Sequence, residues 1–198
     1  LLSSEITKYV PKEIDENSIF IIENGATTSY LIDKTGNRIK TWNFDSKLGN
    51  DLELLSNGSV LGIFKPDQTF FNFGGFGGVL KKYNISGDLV WEYSINSENE
   101  LMHHDFAILP NGNILSICTE ERTQQEALNA GIQNIDGPMK LDMVIEIKPV
   151  GTDEAEIVWE WRFWDHLVQD VNPLLDNYGQ LSANPQLLDI NTPVPGGG

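Results

Sequence analysis

Cysteine is nearly absent from this sequence of 198 residues. Cys118 is the only one, so the chain can form neither an internal disulfide bond nor a thiolate metal cluster. Long apolar runs are also absent, because no stretch approaches the roughly 20 residues that a membrane-spanning helix needs. The N-terminal segment LLSSEITKYVPKE lacks the basic-then-apolar order of an export signal. If the protein is exported, its signal is therefore expected outside this chain.

Positive charge is also scarce. The sequence has 13 Lys and Arg residues against 29 Asp and Glu residues, a formal net charge of −16. A field of this sign repels phosphate, so we expect neither nucleic acid nor an anionic membrane surface as a partner. What the chain does contain is 40% hydrophobic and 10% aromatic residues, which is enough for the core of one domain.

The chain contains two kinds of hairpin that recur. DLELLSNGSVLGIF (residues 51–64) superimposes on DFAILPNGNILSIC (residues 105–118), and in each an Asp precedes a strand, an Asn-Gly turn and a second strand. A second pattern joins two strands across a Gly-containing turn and ends in Trp. It occurs three times, as LIDKTGNRIKTW, YNISGDLVWEY and EIKPVGTDEAEIVWEW. The two kinds alternate with a period of about fifty residues.

One hairpin of each kind makes a four-stranded antiparallel unit, and a tandem array of such units is typical of a β-propeller. The prediction is an all-β fold, a partial β-propeller of four-stranded antiparallel blades, with a short helical insertion near residues 121–133. Residues 1–198 would form a single incomplete domain. Its parts are expected at about 19–44 (a partial blade), 51–95 (a second blade), 104–163 (a third blade) and 164–198 (the start of the next).

The propeller arrangement also predicts which loops share a face. The short hairpin turns lie on one side, and the long connections lie on the other, here termed the loop face. The loop face would hold residues 45–50, 65–78, 96–104, 119–142 and the chain from 163 onward. All three histidines, His103, His104 and His166, fall on it. Four tryptophans recur at one place in the hairpins and are expected in core or blade-edge packing: Trp42, Trp91, Trp159 and Trp161.

His104 distinguishes the third blade from the preceding repeat. Asp105 aligns with Asp51, so it is interpreted as a cap of the innermost strand, whereas His104 aligns with Asn50. His104 is therefore expected where the inner strand begins, close to the central channel. The residues alone leave open a hydrogen-bonded pair of histidines without chemistry. They disfavour a shared metal ion, because adjacent strand residues point to opposite sides.

Three stretches resemble the arylsulfotransferase family: HHDFAILPNGNIL, LDMVIEIKP with EIVWEW, and WDHLVQD with NYG and NPQLLDIN. The resemblance runs from about Tyr30 to Asn191. It implies a six-bladed propeller enzyme that moves sulfuryl groups between phenolic esters and phenols without a nucleotide sulfate donor, and we expect no cofactor. Histidines and an arginine would surround a funnel, and one histidine would become transiently sulfated.

The resemblance also implies roles for the histidines. His104 would bind sulfate oxygens with His103 beside it, and His166 would be a second catalytic histidine, although a bond to backbone at a blade junction explains His166 equally well. The partners would be a small aryl sulfate and a phenol, and the location the periplasm or the cell surface. The family's nucleophilic histidine and catalytic arginine lie in later blades. We therefore expect an N-terminal half of a longer protein, with little transferase activity alone.

Three further residues are candidates for contact with the substrate. Arg122 would supply a cation on the 119–142 insertion, unless it is a solvated surface arginine, and Trp164 would supply an aromatic face, unless it lies in the core. The run TFFNFGGFGG (residues 69–78) offers an aromatic wall for an aryl substrate, with Phe73 as the candidate beside Phe70, Phe71 and Phe76; packing between blades is the other use of such a run.

The chemistry favours histidine. A sulfuryl group in transfer spreads negative charge over its oxygens, and each preorganised donor stabilises that charge by about 3 kcal/mol. Imidazole can donate, accept a proton or act as nucleophile near neutral pH. The alternative to a sulfuryl-transfer enzyme is a non-catalytic propeller that binds a ligand or partner through the same face.

Overall fold

Apolar residues that alternate with polar ones, interrupted by Gly turns, fold into successive antiparallel sheets in the computed structural model, which describes residues 10–71 and 74–192. The first sheet consists of β1 (Ile19–Ile21), β2 (Thr28–Ile32) and β3 (Arg38–Asn43). The second consists of β4 (Leu48–Leu54), β5 (Val60–Phe64), β6 (Val79–Tyr83) and β7 (Leu89–Ser94). In both sheets the strands lie side by side in chain order.

The third sheet is the longest. It consists of β8 (Glu100–Ile108), β9 (Ile114–Arg122), β10 (Met139–Val150) and β11 (Glu154–Arg162), again in chain order. A short helix, α1 (Gln124–Asn129), interrupts the connection between β9 and β10, and a capping box formed by Thr123 and Glu126 begins it. The predicted all-β fold of four-stranded antiparallel blades with a helical insertion is confirmed.

The chain then leaves this pattern. A 3₁₀ helix (Phe163–His166) leads into β12 (Leu167–Val168), which pairs in parallel with β13 (Leu188–Asp189). Two further 3₁₀ helices cover Pro11–Glu13 and Leu181–Ala183.

The repeat found in the sequence is also a repeat of backbone geometry. The pairing of β4 with β5 shifts register between Leu48 and Leu52, and the pairing of β8 with β9 shifts between Met102 and Phe106, at the equivalent position. Each inner strand begins upstream of the Asp that marks the sequence repeat, at Leu48 and Glu100, because residues before the shift already pair with the neighbouring strand.

The second and third sheets pack with their inner strands together, since β4 contacts β8 and the outer β7 contacts β11. At the outer edge the indole N–H of Trp91 donates to the carbonyl of Glu154 at 3.0 Å. The core between the two sheets contains Leu61, Ile63, Leu80, Trp91, Ile95, Met102, Phe106, Ile114, Cys118, Met143, Ile145 and Ile147.

The tryptophans do not share one environment. Trp42 and Trp91 are buried as expected, but Trp159 is 48% exposed. Trp159 lies at the blade edge and not in the core, because β11 is the edge strand of the third sheet.

Two equivalent aspartates meet where β4 and β8 lie side by side. Asp51 accepts a hydrogen bond from the backbone N–H of Leu52 at 2.9 Å, and Asp105 accepts one from Phe106 at 2.8 Å. Burial raises the pKa of Asp51 to about 6, and the hydrogen bond and charge of Asp105 add to this effect. Asp51 therefore keeps its proton in mildly acidic solution.

Asp51→Asn is expected to change how stability depends on pH. The ordinary pKa of Asp51 is 3.8, so between about pH 4 and pH 6 the folded protein binds more protons than the unfolded chain, and its stability falls as the pH rises. The variant removes this titration. Because the group is half-exposed, we expect a gain of only about 1 kcal/mol at pH 7.5, which falls to roughly half at pH 5 and disappears only below the ordinary pKa of 3.8. Urea unfolding at pH 7.5 and at about pH 3.5 measures it, with the exposed Asp67→Asn as control; parallel pH profiles for wild type and Asp51→Asn would contradict the raised pKa of Asp51.

Candidate functional site

His103 and His104 form a contacting pair at the start of β8. The backbone of His104 has φ 55°, a left-handed conformation, and it lies within the register shift of β8. This single residue breaks the alternation of the strand and brings both side chains to one side. Their Nδ1 atoms lie 2.7 Å apart, and the two rings meet edge to face with centroids 4.9 Å apart. The expectation that adjacent strand residues would point to opposite sides was therefore wrong here.

His103 is the buried member of the pair. Its ring is 4% exposed, and its Nε2 lies 3.2 Å from Oδ1 of Asp142 on β10. Burial lowers the pKa of His103, the charge of Asp142 opposes this, and the neighbouring His104 lowers the pKa further. The net direction is downward, so the His103 ring is neutral at pH 7.

His104 is exposed, and the loop between β5 and β6 supports its ring. The backbone N–H of His104 donates to the carbonyl of Gly75 at 2.9 Å, and the side chain of Asn50 donates to the same carbonyl. Gly75 has φ 68°, and a Cβ built on it would lie 2.4 Å from Nε2 of His104. The imidazole therefore packs directly on a glycine that has no room for a side chain.

The same loop carries aromatic residues, and one of them pairs with His103 through the backbone. Phe76 forms an isolated β-bridge with His103. The ammonium group of Lys65 lies 5.3 Å from the centre of the Phe76 ring. The ammonium group of Lys140, two residues before Asp142, lies 5.1 Å from the ring of Phe71. Phe70 is 63% exposed. Phe73 lies outside the described residues, so its role stays a prediction.

His166 lies at the same end of the third sheet but at the opposite edge. Its Nδ1 donates to the carbonyl of Arg162 at 2.8 Å, and its Nε2 accepts from the indole N–H of Trp161 at 3.0 Å. Across four strands the two edges are roughly 14 Å apart. Both nitrogens of His166 are therefore occupied within its own segment, and among the described residues no contact joins it to His103 or His104.

Arg122 and Trp164 contact each other. The guanidinium group lies 4.9 Å from the centre of the Trp164 ring, and it donates to Glu120 at 2.7 Å. Trp164 also packs against the small cluster of Ala130, Leu167 and Ile190. The positive charge of Arg122 is therefore already balanced by a carboxylate. As substrate contacts, Arg122 and Trp164 stay predictions.

A cavity of about 600 Å³ lies beside this arginine. Glu120 is only 2% exposed and also binds Arg162 at 2.9 Å. Four carboxylates and two guanidinium groups line the cavity, which disfavours an anion as its ligand. The lining residues are Asn99, Glu100, Glu120, Glu121, Arg122, Thr123, Glu126 and Arg162.

Sequence reasoning missed three residues of this end of the molecule: Gly75, Asp142 and Arg162. Arg162 had a usable signal, because it ends a strand and lies beside Trp161 and Phe163. Gly75 and Asp142 had none, since each meets the histidines only through tertiary contacts.

The described part of the chain contains neither a cluster of metal-binding side chains nor a helix that could span a membrane. In residues 10–71 and 74–192 no group of three or more His, Cys, Asp or Glu side chains is placed to hold a metal ion. No helix in the same residues has the length and apolar character that crossing a membrane requires.

Comparison with models of protein families gives a match. The family model described as Arylsulfotransferase (ASST) matches residues 4–187, which is most of the chain. No curated protein matches the chain.

Proposed function

The chain belongs to the arylsulfotransferase family, and from this premise we propose that it serves sulfuryl transfer from a phenolic sulfate ester to a phenol, without a nucleotide sulfate donor and through a histidine intermediate. The observation that carries the proposal is the His103–His104 pair. An exposed imidazole is held from one side by a buried histidine and from the other by Gly75, which is the preorganisation that catalysis of group transfer needs.

His104 would contact the sulfuryl group and the phenol. Its Nδ1 faces His103, so Nε2 is the nitrogen left for a ligand. In the first half-reaction the aryl S–O bond breaks as a histidine nitrogen bonds to sulfur, and protonated His104 gives its Nε2 proton to the departing phenolate. In the second the S–N bond breaks as the acceptor oxygen bonds to sulfur, and His104 takes the proton of that phenol.

The aryl rings of donor and acceptor would lie against the β5–β6 loop. Phe71 and Phe76 are half-buried and Phe70 is exposed on the same loop that holds His104. Aromatic pairs of this kind contribute about 0.5–1.5 kcal/mol beyond the area they bury. Phe73, on the same loop, is proposed as part of this surface. We also propose a periplasmic or extracellular location, on the family resemblance alone.

The test is a transfer assay on the protein that carries this chain. A chromogenic aryl sulfate and a phenol acceptor are supplied without any nucleotide, and the sulfated acceptor is detected by mass spectrometry. We expect sulfated phenol in proportion to released chromophore. Product that forms only with a nucleotide sulfate donor would contradict the proposal. Saturable binding of the aryl sulfate without turnover would instead favour a non-catalytic binding module.

A further inference from the structure

Three side chains form a row at one end of the third sheet, with the buried His103 between Asp142, whose side chain is 47% exposed, and the exposed His104. Asp142 Oδ1 is 3.2 Å from Nε2 of His103, and Nδ1 of His103 is 2.7 Å from Nδ1 of His104. Nε2 of His104, at the exposed end, has no hydrogen-bond partner among residues 10–71 and 74–192. We propose that Asp142 is a positioning residue, which acts through His103 to keep the proton of neutral His104 on Nδ1 and the lone pair on Nε2.

The assignment follows from counting protons. An ionised carboxylate can only accept a hydrogen bond, so the proton between Asp142 and His103 belongs to His103 Nε2. A neutral imidazole carries one N–H, which leaves Nδ1 of His103 as an acceptor. The backbone of Cys118 also accepts from the His103 ring, but the ionised carboxylate is the stronger acceptor, so the single N–H of neutral His103 stays on Nε2. The two Nδ1 atoms are within hydrogen-bond distance, and the proton between them is then that of His104. Nε2 of His104 is then unprotonated.

The reverse arrangement is unfavourable. If His103 donated from Nδ1, its Nε2 lone pair would face the Asp142 carboxylate at 3.2 Å with no proton between them. The burial of His103 makes this worse, because repulsion between lone pairs is less screened away from water. Burial also keeps the His103 ring neutral, so a second proton does not resolve the conflict.

The consequence for chemistry rests on the proposed function. With its lone pair on Nε2, neutral His104 can take the proton of the acceptor phenol as that oxygen bonds to sulfur. The same proton is available for the phenolate that leaves in the next cycle, so protons balance over one turnover. Without Asp142 the lone pair of neutral His104 would divide between the two nitrogens, and part of the protein would present an N–H to the phenol.

The experiment reads the tautomers directly. Imidazole ¹⁵N chemical shifts separate protonated from unprotonated nitrogens, and they are recorded for wild type, Asp142→Ala and Asp142→Asn. In wild type we expect the proton of His103 on Nε2 and that of His104 on Nδ1. In Asp142→Ala we expect the ¹⁵N shifts of the two His104 nitrogens to become averaged and turnover to fall by about tenfold. In Asp142→Asn, whose amide oxygen can still accept a hydrogen bond, part of the shift difference and part of the turnover should remain.

The matched control is Glu146→Gln, on the same strand but at its far end, where Glu146 accepts from Asn113 at 2.5 Å. It should leave the His104 nitrogens and turnover unchanged. A wild-type His104 with its proton on Nε2, or unchanged tautomers in Asp142→Ala, would overturn the inference. Absence of sulfuryl transfer would overturn the proposed function instead, because the ¹⁵N shifts are measured without substrate.

Discussion

His104→Asn is expected to lower kcat/KM for sulfuryl transfer by about 10²–10⁴-fold, the range for loss of a general acid and base. Asparagine suits the position for two reasons. The equivalent residue of the preceding repeat is Asn50, and asparagine tolerates the left-handed backbone that His104 adopts at φ 55°. The variant therefore removes the imidazole with little strain.

The measurement is initial rates with a chromogenic aryl sulfate and a phenol, together with urea unfolding. Stability should change by no more than about 1 kcal/mol. Glu98→Gln, an exposed change on the loop that leads into β8, is the control and should leave the rates as they are. If His104→Asn turned over at the wild-type rate, His104 would have no part in the mechanism.

Gly75→Ala should displace the His104 imidazole and lower turnover by about 10–100-fold. The new Cβ would lie 2.4 Å from Nε2 and 2.5 Å from Cε1 of His104, closer than atoms can approach, so the ring must leave its present position. Alanine at a positive φ adds strain of about 1 kcal/mol or more. Loss of the 2.7 Å contact between the histidines should appear as changed ¹⁵N shifts of both rings.

The neighbouring glycine provides a matched control. A Cβ on Gly74 meets no atom within 4 Å, so Gly74→Ala alters the same loop without touching the ring. We expect wild-type turnover and wild-type histidine shifts in this variant. Equal losses of turnover in the two variants would show that a general change in the loop, and not displacement of the His104 ring, explains the effect.

The sheets could be predicted from the sequence because their causes are local. Alternating apolar residues and Asn-Gly turns specify hairpins, and the repeated Asp51 and Asp105 occupy equivalent positions in the two inner strands. The short helix near residues 121–133 was also predicted, and its cause is local as well, because Thr123 and Glu126 form its cap within four residues.

The site was less predictable, because its contacts depend on an irregular backbone conformation or join residues that are far apart in the sequence. The positive φ of His104 changes the direction of its side chain, and no local pattern of residues predicts this conformation. Asp142 reaches His103 from two strands away across the sheet. The sequence does indicate the pairing of Arg122 with Glu120, because residues two apart in a strand share a face. The prediction that Arg122 supplies a cation to the substrate left Glu120 out.

The most direct test of the account is to titrate the protein with an aryl sulfate while observing the imidazole nitrogens of His104. The account predicts a saturable shift of Nε2 of His104, with a smaller change at His166, whose nitrogens already bond Trp161 and Arg162. A protein that turned over the aryl sulfate while the His104 signals stayed in place would contradict it.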